Sequence, residues 1–545
     1  MLQKQTIFPA LFSGLLLGVT TIGHGPVYHL HWALFFGFVP LWSIWLREAS
    51  WKKILFSGWL CQFTFTLVAF HWLAYTVNEF SHLGLPLSVF ILLFYCALAN
   101  LQFPLAGLLW HWIFRKPNLG PLPQIAALAL LTAACERIGT MIFHWNFGYA
   151  WLYMGWPGAQ IADVVGFKWL CTFSICLNGV LLVAWIERKN AKWILPVILA
   201  ATAFTIVNFA GMIRVRQLSP PDAKARVLLI QPNVGNREKE KLDTHQDFRE
   251  ASLQNYFSFT DKALASPNGN PVDFAVWPEN AFPDVIADAQ LTYRLSAKLK
   301  EYIKSRKLNL LTGSYGMNVD GKITNSLFAL SKDGTWSSPP YHKMLLLPFG
   351  EYIPGAERFP VLKKWLPDVR DYGHGEAPVI LALENIRLGP QICYEGLFDF
   401  VSRDLANRGA QIIVNVTNDS WYGNWMEPWQ HLYITMAKAI ETRRPLIRDT
   451  NTGLSAVILA DGTIPEISPI DKEWFHAYDV PFLRSPPTTP FMKWGFWFDW
   501  IFLGAGLSAL WIWSRFQGKI FGCGSRNPIR DICSRFGQPS QKFLQ

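Results

Sequence analysis

Three short segments carry side chains that could do covalent chemistry. Val276-Trp277-Pro278-Glu279-Asn280 ends an apolar run in an acid. Tyr341-His342-Lys343 leads into Pro348-Phe349-Gly350-Glu351-Tyr352. Gln391-Ile392-Cys393-Tyr394-Glu395-Gly396 ends a third run in a thiol. A reactive group at the end of an apolar strand is a common arrangement in layered α/β folds. A thiol with a pKa of about 8.5 is mostly protonated at neutral pH. It needs a base and a nearby positive charge to attack. Glu279 suits the base, and Lys343 suits stabilisation of a thiolate and then of an oxyanion. The N–H of Tyr394, directly after the thiol, is a second oxyanion donor by position. A second acid near Lys343 would hold the ammonium in place, and like charges near Glu279 would raise its pKa. Taken singly, a Cys at a strand end is a small buried hydrophobe, a Glu after Trp-Pro is a turn residue, and a Lys is solvated surface.

The elements that position these segments fall into two textures. At 545 residues the chain exceeds one ordinary domain. Hydrophobic residues make up 51% and charged residues 16%, where a soluble domain averages about 25% charged. Aromatics reach 15%, with 26 Trp, which suits membrane–water interfaces. The net charge of +10 sits largely in short loops between apolar runs, so it reads as a topology signal and not as a nucleic-acid surface. Apolar runs at 7–23, 27–46, 54–77, 85–114, 122–143, 161–186, 193–212 and 494–513 approach or exceed the roughly 20 residues that cross a bilayer. Pro104 predicts a kink in the fourth. Lys4, Arg47, Lys52, Lys53, Arg115, Lys116, Arg188, Lys189 and Lys192 occupy alternate loops, while the loops at 24–26, 78–84 and 144–160 hold no Lys or Arg. Positive loops stay in the cytoplasm, so the segment after the seventh run is expected outside. The tail with Arg515, Lys519, Arg526, Arg530 and Arg535 is expected inside.

Between Ser219 and Phe482 short β-rich runs alternate with helical patterns, as in an α/β domain. Strands are expected at 226–231, 273–277, 308–313, 326–331, 388–393, 411–416, 445–448 and 454–459. Helices are expected at 245–265, 291–307, 399–408 and 429–443; in the second, Leu291, Leu295, Leu299, Tyr302 and Ile303 share one face. The expected division is therefore 1–218, a seven-span bundle; 219–488, an extracytoplasmic α/β domain; 489–515, a last span; and 516–545, a basic cytoplasmic tail. Of eight cysteines, Cys393 alone falls between Arg214 and Lys493. A single unpaired thiol on an outward-facing domain is a liability unless it is used.

W-P-E-N, H-K before P-F-G-E, and C-Y-E-G, in this order, resemble the nitrilase superfamily. That resemblance implies an αββα sandwich with a Glu279–Lys343–Cys393 triad, and further essential acids at Glu351 and Glu395. Asn418-Asp419-Ser420-Trp421-Tyr422-Gly423, Gln430-His431, Arg444-Pro445 with Arg448, and Asn451-Thr452-Gly453 are similar to the apolipoprotein N-acyltransferase family. So is the order of seven spans, outer domain and final span. The resemblance implies transfer of an acyl chain from a phospholipid donor, through a Cys thioester, to the amine of a diacylated apolipoprotein. It also implies residence in the bacterial inner membrane, with the catalytic domain on the periplasmic face. The alternatives are a membrane-tethered amidase or hydrolase, and a non-catalytic receptor or transporter. The family resemblance implies a substrate-binding Lys-Trp pair after the first strand; here that region reads Arg237-Glu238-Lys239-Glu240-Lys241, with no Trp.

Trp421, Tyr422, Trp425, Met426 and Trp429 cluster in one loop, expected to form a lid or wall that touches lipid, with core packing as the alternative. Phe349, Tyr352 and Ile353 are expected to do likewise. Glu136 and Arg137 are neighbours inside the fifth run, so each is expected to need another partner or depth near the interface, in a structural role rather than a substrate role. His144, Asn146 and Tyr149 are expected at a lipid entrance. No metal or cofactor is expected, since the chain has no Gly-rich phosphate loop, H-E-x-x-H or C-x-x-C.

Overall fold

The structure, a computed structural model, describes the chain from Leu2 to Ile520 apart from residues 25, 49, 82–83, 117–118, 140–141, 236–245, 268, 270 and 366–368. The N-terminal helices are α1 (Leu2–Val19), α2 (Val39–Trp45), α3 (Trp51–Phe70), α4 (Leu73–Ser81), α5 (Leu85–Leu98), α6 (Gln102–Ile113), α7 (Pro121–Ile138), α8 (Ala150–Tyr153), α9 (Ala162–Glu187) and α10 (Ile194–Arg216). Among the described residues, five helical segments are long and apolar enough to cross a bilayer: Trp51–Phe70, Leu85–Ile113, Pro157–Glu187, Ala191–Arg216 and Phe491–Arg515.

Three of the expected runs are not single helices. The run at 27–46 divides into a 3-10 segment, Pro26–Phe35, and α2. Pro40 sits in the first turn of α2, where its ring would clash with the carbonyl four residues back if the helix extended upstream. The run at 54–77 breaks after Phe70, because Gln430 Nε2 takes the Ala69 carbonyl (3.1 Å) and Trp72 Nε1 donates back to Gln430 Oε1 (3.1 Å). The run at 85–114 breaks at 99–101 and not at Pro104. Pro104 lies in the first turn of α6, where a missing N–H costs nothing. Gln62 Oε1 accepts the Phe103 N–H there, and Asn100 donates to Thr66 Oγ1.

The α/β domain holds β1 (Ala223–Gln231), β2 (Phe274–Trp277), β3 (Leu310–Met317), β4 (Ile323–Leu330), β5 (Tyr341–His342), β6 (Leu381–Leu383), β7 (Ile386–Ile392), β8 (Ile412–Thr417), β9 (Leu446–Thr450), β10 (Ala456–Ile458) and β11 (Trp474–Phe482). Its helices are α11 (Gln246–Leu264), α12 (Leu295–Arg306), α13 (Val361–Trp365), α14 (Asp399–Asn407) and α15 (Glu427–Thr442), and α16 (Phe496–Ile520) follows. One sheet has the order β11-β1-β2-β3-β4-β5, the other β10-β9-β8-β7-β6. Alternation along β1 builds the layers. Val227 and Leu229 face Leu388, Ile412 and Val414 of the other sheet. Leu228 and Ile230 face Leu253 and Tyr256 of α11. On the opposite outer face Ile413 and Leu446 meet Leu432 and Ala439 of α15. The result is an αββα nitrilase-like sandwich. Leu291, expected on a helix face, precedes α12 at a left-handed φ of 50° and is buried there. The tail from 521 onward and the segment at 237–241 lie outside the described residues.

A polar seam fastens the sandwich to the helices. Gln430 also donates to Thr21 O of the loop after α1. Glu441 Oε1 accepts the Phe167 N–H (3.0 Å), directly after Gly166 interrupts α9 at φ 78°. Arg443 Nε donates to Asp163 Oδ2 (2.9 Å) and Lys168 Nζ meets Asp399 Oδ2 (3.0 Å). Asn146 and Tyr149, expected at a lipid entrance, are buried instead. Asn146 caps a 3-10 turn through the Gly148 N–H, and the Tyr149 hydroxyl accepts from buried Lys438 (3.2 Å). Burial holds the His144 imidazole down at about 4, and its ring packs on Phe398 (4.5 Å).

Candidate active site

The three chemical segments converge because three strands of the two facing sheets end close together. Trp277 ends β2, buried, with Nε1 donating to Thr260 Oγ1 of α11 (3.0 Å); Glu279 follows two residues on. β5 pairs with β4, and the Lys343 N–H donates to Asn325 O (2.8 Å). Cys393 follows β7 and opens a 3-10 turn, Cys393–Leu397. Lys343 Nζ is 2.8 Å from Glu351 Oε1 and 3.6 Å from Glu279 Oε1. Asn325 Nδ2 bridges the same two carboxylates, at 2.7 Å from Glu279 and 3.1 Å from Glu351. Burial works against the Lys343 ammonium, but Glu351, Glu279 and the Cys393 sulfur outweigh it and raise its pKa. The lysine therefore stays charged.

Cys393 is buried at a left-handed φ of 51°, a conformation that costs a non-glycine residue free energy and survives only where the surroundings enforce it. Burial and then the Glu279 charge push its thiol well above the ordinary range, while Lys343 and the Thr417 hydroxyl favour the thiolate. The resting group is a thiol beside a carboxylate and an ammonium. Glu351 takes the place expected of an acid holding the ammonium, and its second oxygen accepts the Leu347 N–H (2.8 Å). Glu395 is placed differently. Its carboxylate accepts from Tyr341 Oη (2.7 Å), Met344 N (2.7 Å), Leu345 N (3.1 Å) and Ile392 N (2.8 Å), tying the cysteine turn to the exit of β5. The Tyr394 N–H is a first-turn donor with no carbonyl of its own helix to meet. The Tyr394 hydroxyl donates to Ile142 O beyond α7 (2.7 Å).

A family model described as Carbon-nitrogen hydrolase matches residues 226–469, and one described as Apolipoprotein N-acyltransferase N-terminal domain matches 13–181. The chain is 36% identical over 515 residues to the apolipoprotein N-acyltransferase of Bdellovibrio bacteriovorus, covering 92% of each. The chain belongs to the apolipoprotein N-acyltransferase family. It is 29% identical over 481 residues to the Azotobacter vinelandii apolipoprotein N-acyltransferase, covering 86% of this chain and 88% of that one. The crystal structure of Saccharomyces cerevisiae Nit3, of the nitrilase superfamily, aligns at a TM-score of 0.36 and 16% identity, over 48% of this chain and 92% of that one. As a member of the apolipoprotein N-acyltransferase family, the chain is a membrane acyltransferase of lipoprotein maturation.

The aromatic loop divides in two. Tyr422 is half-buried, its ring set edge-on against Trp72 (5.5 Å), and burial raises its phenol pKa. Met426 is fully buried. Trp425 is 52% exposed, beside His24 (4.7 Å), and Trp421 is half-buried. Phe349 is 50% exposed at a left-handed φ of 63°, Tyr352 is half-buried, and Ile353 is buried.

Sequence reasoning gave no role to Asn325, whose signal is a carboxamide inside an otherwise closely packed strand. Nor did it give roles within the network beneath the cysteine turn. Asp419, Glu427 and His431 place ligand-type atoms within 4.8 Å of one another. Arg448 Nη2 already meets Asp419 Oδ2 (2.7 Å), and His431 Nδ1 sits within reach of both carboxylates. A guanidinium and an imidazole thus balance the two acids, and the donor set fits a shared-proton network better than a cation.

Proposed function

We propose that Cys393 is the nucleophile that carries the acyl chain as a thioester, with Glu279 as base and Lys343 with the Tyr394 N–H as oxyanion donors. The donor is a bilayer phospholipid and the acceptor the free amine of a diacylated apolipoprotein. The observation that carries this reading is the contact of the cysteine turn with the helical bundle through Tyr394 and Ile142. A nucleophile for two lipid-anchored substrates has to sit at the membrane surface. Glu279 takes the thiol proton as sulfur attacks the ester carbonyl, and returns it to the departing lysophospholipid oxygen. The amine then attacks the thioester, Glu279 takes the amine proton, and the thiol is restored. Tetrahedral oxyanions form in both halves, so the same donors serve twice.

The eight apolar runs support eight spans and the division 1–218, 219–488, 489–515 and 516–545. The loop charges support residues 219–488 on the periplasmic side, and membership of the family supports residence in the bacterial inner membrane. Trp421, Tyr422, Trp425, Phe349 and Tyr352 form the lipid-facing rim. Because one thiol serves two bulky substrates in turn, the kinetics are ping-pong. Incubation with phospholipid alone should release lysophospholipid and add one acyl mass to the Cys393 peptide. A diacylated lipopeptide with a free amine should discharge it, and an N-acetylated one should not. Fatty acid released at one rate with or without lipopeptide, and no acyl-enzyme, would replace the transferase with a hydrolase.

A further inference from the structure

The carbonyl of Cys393 belongs to the same peptide unit as the Tyr394 N–H. Two buried side chains hold that carbonyl: Asn415 Nδ2 at 3.3 Å and His431 Nε2 at 3.3 Å. Facing a carbonyl oxygen, Nε2 has to donate. Nδ1 faces Asp419 Oδ1 at 3.2 Å and Glu427 Oε1 at 3.4 Å, so it too is placed as a donor. Behind them Arg448 ties the two arms together, with Nη1 on Asn415 Oδ1 (2.6 Å) and Nη2 on Asp419 Oδ2 (2.7 Å). All of these groups are buried. α15 presses on the same turn: a Cβ added at Gly396 would meet Thr435 Cγ2 at 2.8 Å.

We propose that His431 is a positioning residue for acyl transfer, donating from Nε2 to the Cys393 carbonyl so that the strained turn is held and the Tyr394 N–H is aimed at the oxyanion. This rests on Cys393 being the nucleophile. The geometry has two consequences. First, Cys393 at φ 51° needs outside contacts to stay in the left-handed region, and His431 and Asn415 supply them at the carbonyl. Second, hydrogen bonds to one end of a peptide polarise its other end. A cationic imidazole on the C=O strengthens the N–H that meets the developing negative charge. The groups facing His431 come from four elements: Asp419 after β8, Glu427 on α15, Arg448 on β9 and the cysteine turn itself. Burial and Arg448 lower the His431 pKa, and Asp419 and Glu427 raise it further than that, leaving it above its ordinary value. Asp419 is held at about 2 because Arg448 and His431 overcome its burial, while burial and Asp419 push Glu427 up to about 7.

The test uses the full-length enzyme in mixed phospholipid–detergent micelles. It measures the rate of the first acylation of Cys393 by peptide mass, and the phospholipid KM. His431→Phe keeps the ring volume and removes both donors. It should slow acylation about 10–100-fold, below the cost of deleting an oxyanion donor outright, with KM unchanged. His431→Gln restores a donor near the Nε2 position and should recover at least tenfold of that loss. A residue that merely packed would not distinguish Gln from Phe in this direction. Wild-type acylation rates in His431→Phe would overturn the proposal, as would a folded His431→Gln as slow as His431→Phe. If His431→Phe fails to fold by thermal unfolding, His431→Gln decides alone: acylation within about tenfold of wild type upholds the role, and slower acylation in a folded protein ends it. Absence of any acyl mass on wild-type Cys393 would instead overturn the nucleophile assignment, and this role with it.

Discussion

At the scale of single residues, the thiol and its ammonium partner set the order of events. Cys393 rests protonated, because burial outweighs the attraction of Lys343, so a thiolate is not stored in advance. In the proposed mechanism its proton moves as sulfur attacks, and Glu279, held by Asn325 at 2.7 Å, receives it. Nucleophile, base and oxyanion charge then act as one unit. Cys393→Ala, Glu279→Gln and Lys343→Ala should each lower acyl transfer by about 10³-fold or more, and a double variant should lose little beyond a single one. Normal turnover in any single variant would remove that residue from the unit. Glu279 and Cys393 stood out in the sequence because each follows a short apolar run, and Lys343 stood out only through its place in the ordered set of motifs. Asn325 and His431 were not legible, since their roles depend on contacts with residues 46 and 38 positions away. Glu395 was expected as a further essential acid, and its carboxylate accepts four donors that fasten the cysteine turn.

At the scale of elements, most strands were readable from the sequence, and β5, β6 and β11 were not. β1, β7 and β8 are apolar runs buried on both faces, and such runs announce themselves. β5 has two residues and β6 three, too few to show a period, and they exist because β4 and β7 offer partners. β11 contains Pro481 and was passed over; it lies at the sheet edge beside β1, where a strand tolerates a missing donor. β9 carries a different burden. Asp449 is fully buried with no well-formed hydrogen bond among the described residues, near Ser455 and the Ile230 N–H. Burial raises its pKa well above the ordinary value. The folded state therefore binds a proton that the unfolded chain releases near pH 4. That contribution to stability is complete below about pH 4 and is lost as pH rises towards the folded pKa, by about 1.4 kcal/mol per unit. Asp449→Asn should remove the slope. Thermal unfolding should show the variant more stable than wild type at pH 8 and the two converging near pH 4. Parallel curves at both pH values would mean that Asp449 is not held protonated.

At the scale of the whole molecule, loop charge is the basis of the proposed orientation, and buried charge joins distant helices. Tags fused at Ser219 and after Arg515 should report opposite sides of the membrane; the same side for both would end the eight-span reading. Glu136 and Arg137 were each expected to need another partner or depth near the interface; Arg137 reaches Asp499 Oδ2 (2.6 Å) on α16, the Lys168 carbonyl and Thr172 Oγ1, and it also folds back onto Glu136. A long guanidinium can meet an adjacent acid when a third group draws it along the helix surface, and Asp499 lies too far along the sequence to have signalled this. The three charges are nearly inaccessible, with Arg137 at 3% side-chain exposure, and they tie the last helix to α7 and α9, where Gly506 packs on Leu130. Buried charges in a membrane bundle are tolerated when paired, and removing one partner leaves the others uncompensated. Arg137→Leu should therefore cost about 3–5 kcal/mol, read as a lower unfolding temperature in detergent and easier proteolysis of α16. Replacing all three, as Glu136→Gln with Arg137→Leu and Asp499→Asn, should recover most of that loss, because no unpaired charge remains. If Arg137→Leu unfolds like wild type, the triad holds nothing together and α16 is kept in place by its apolar contacts alone.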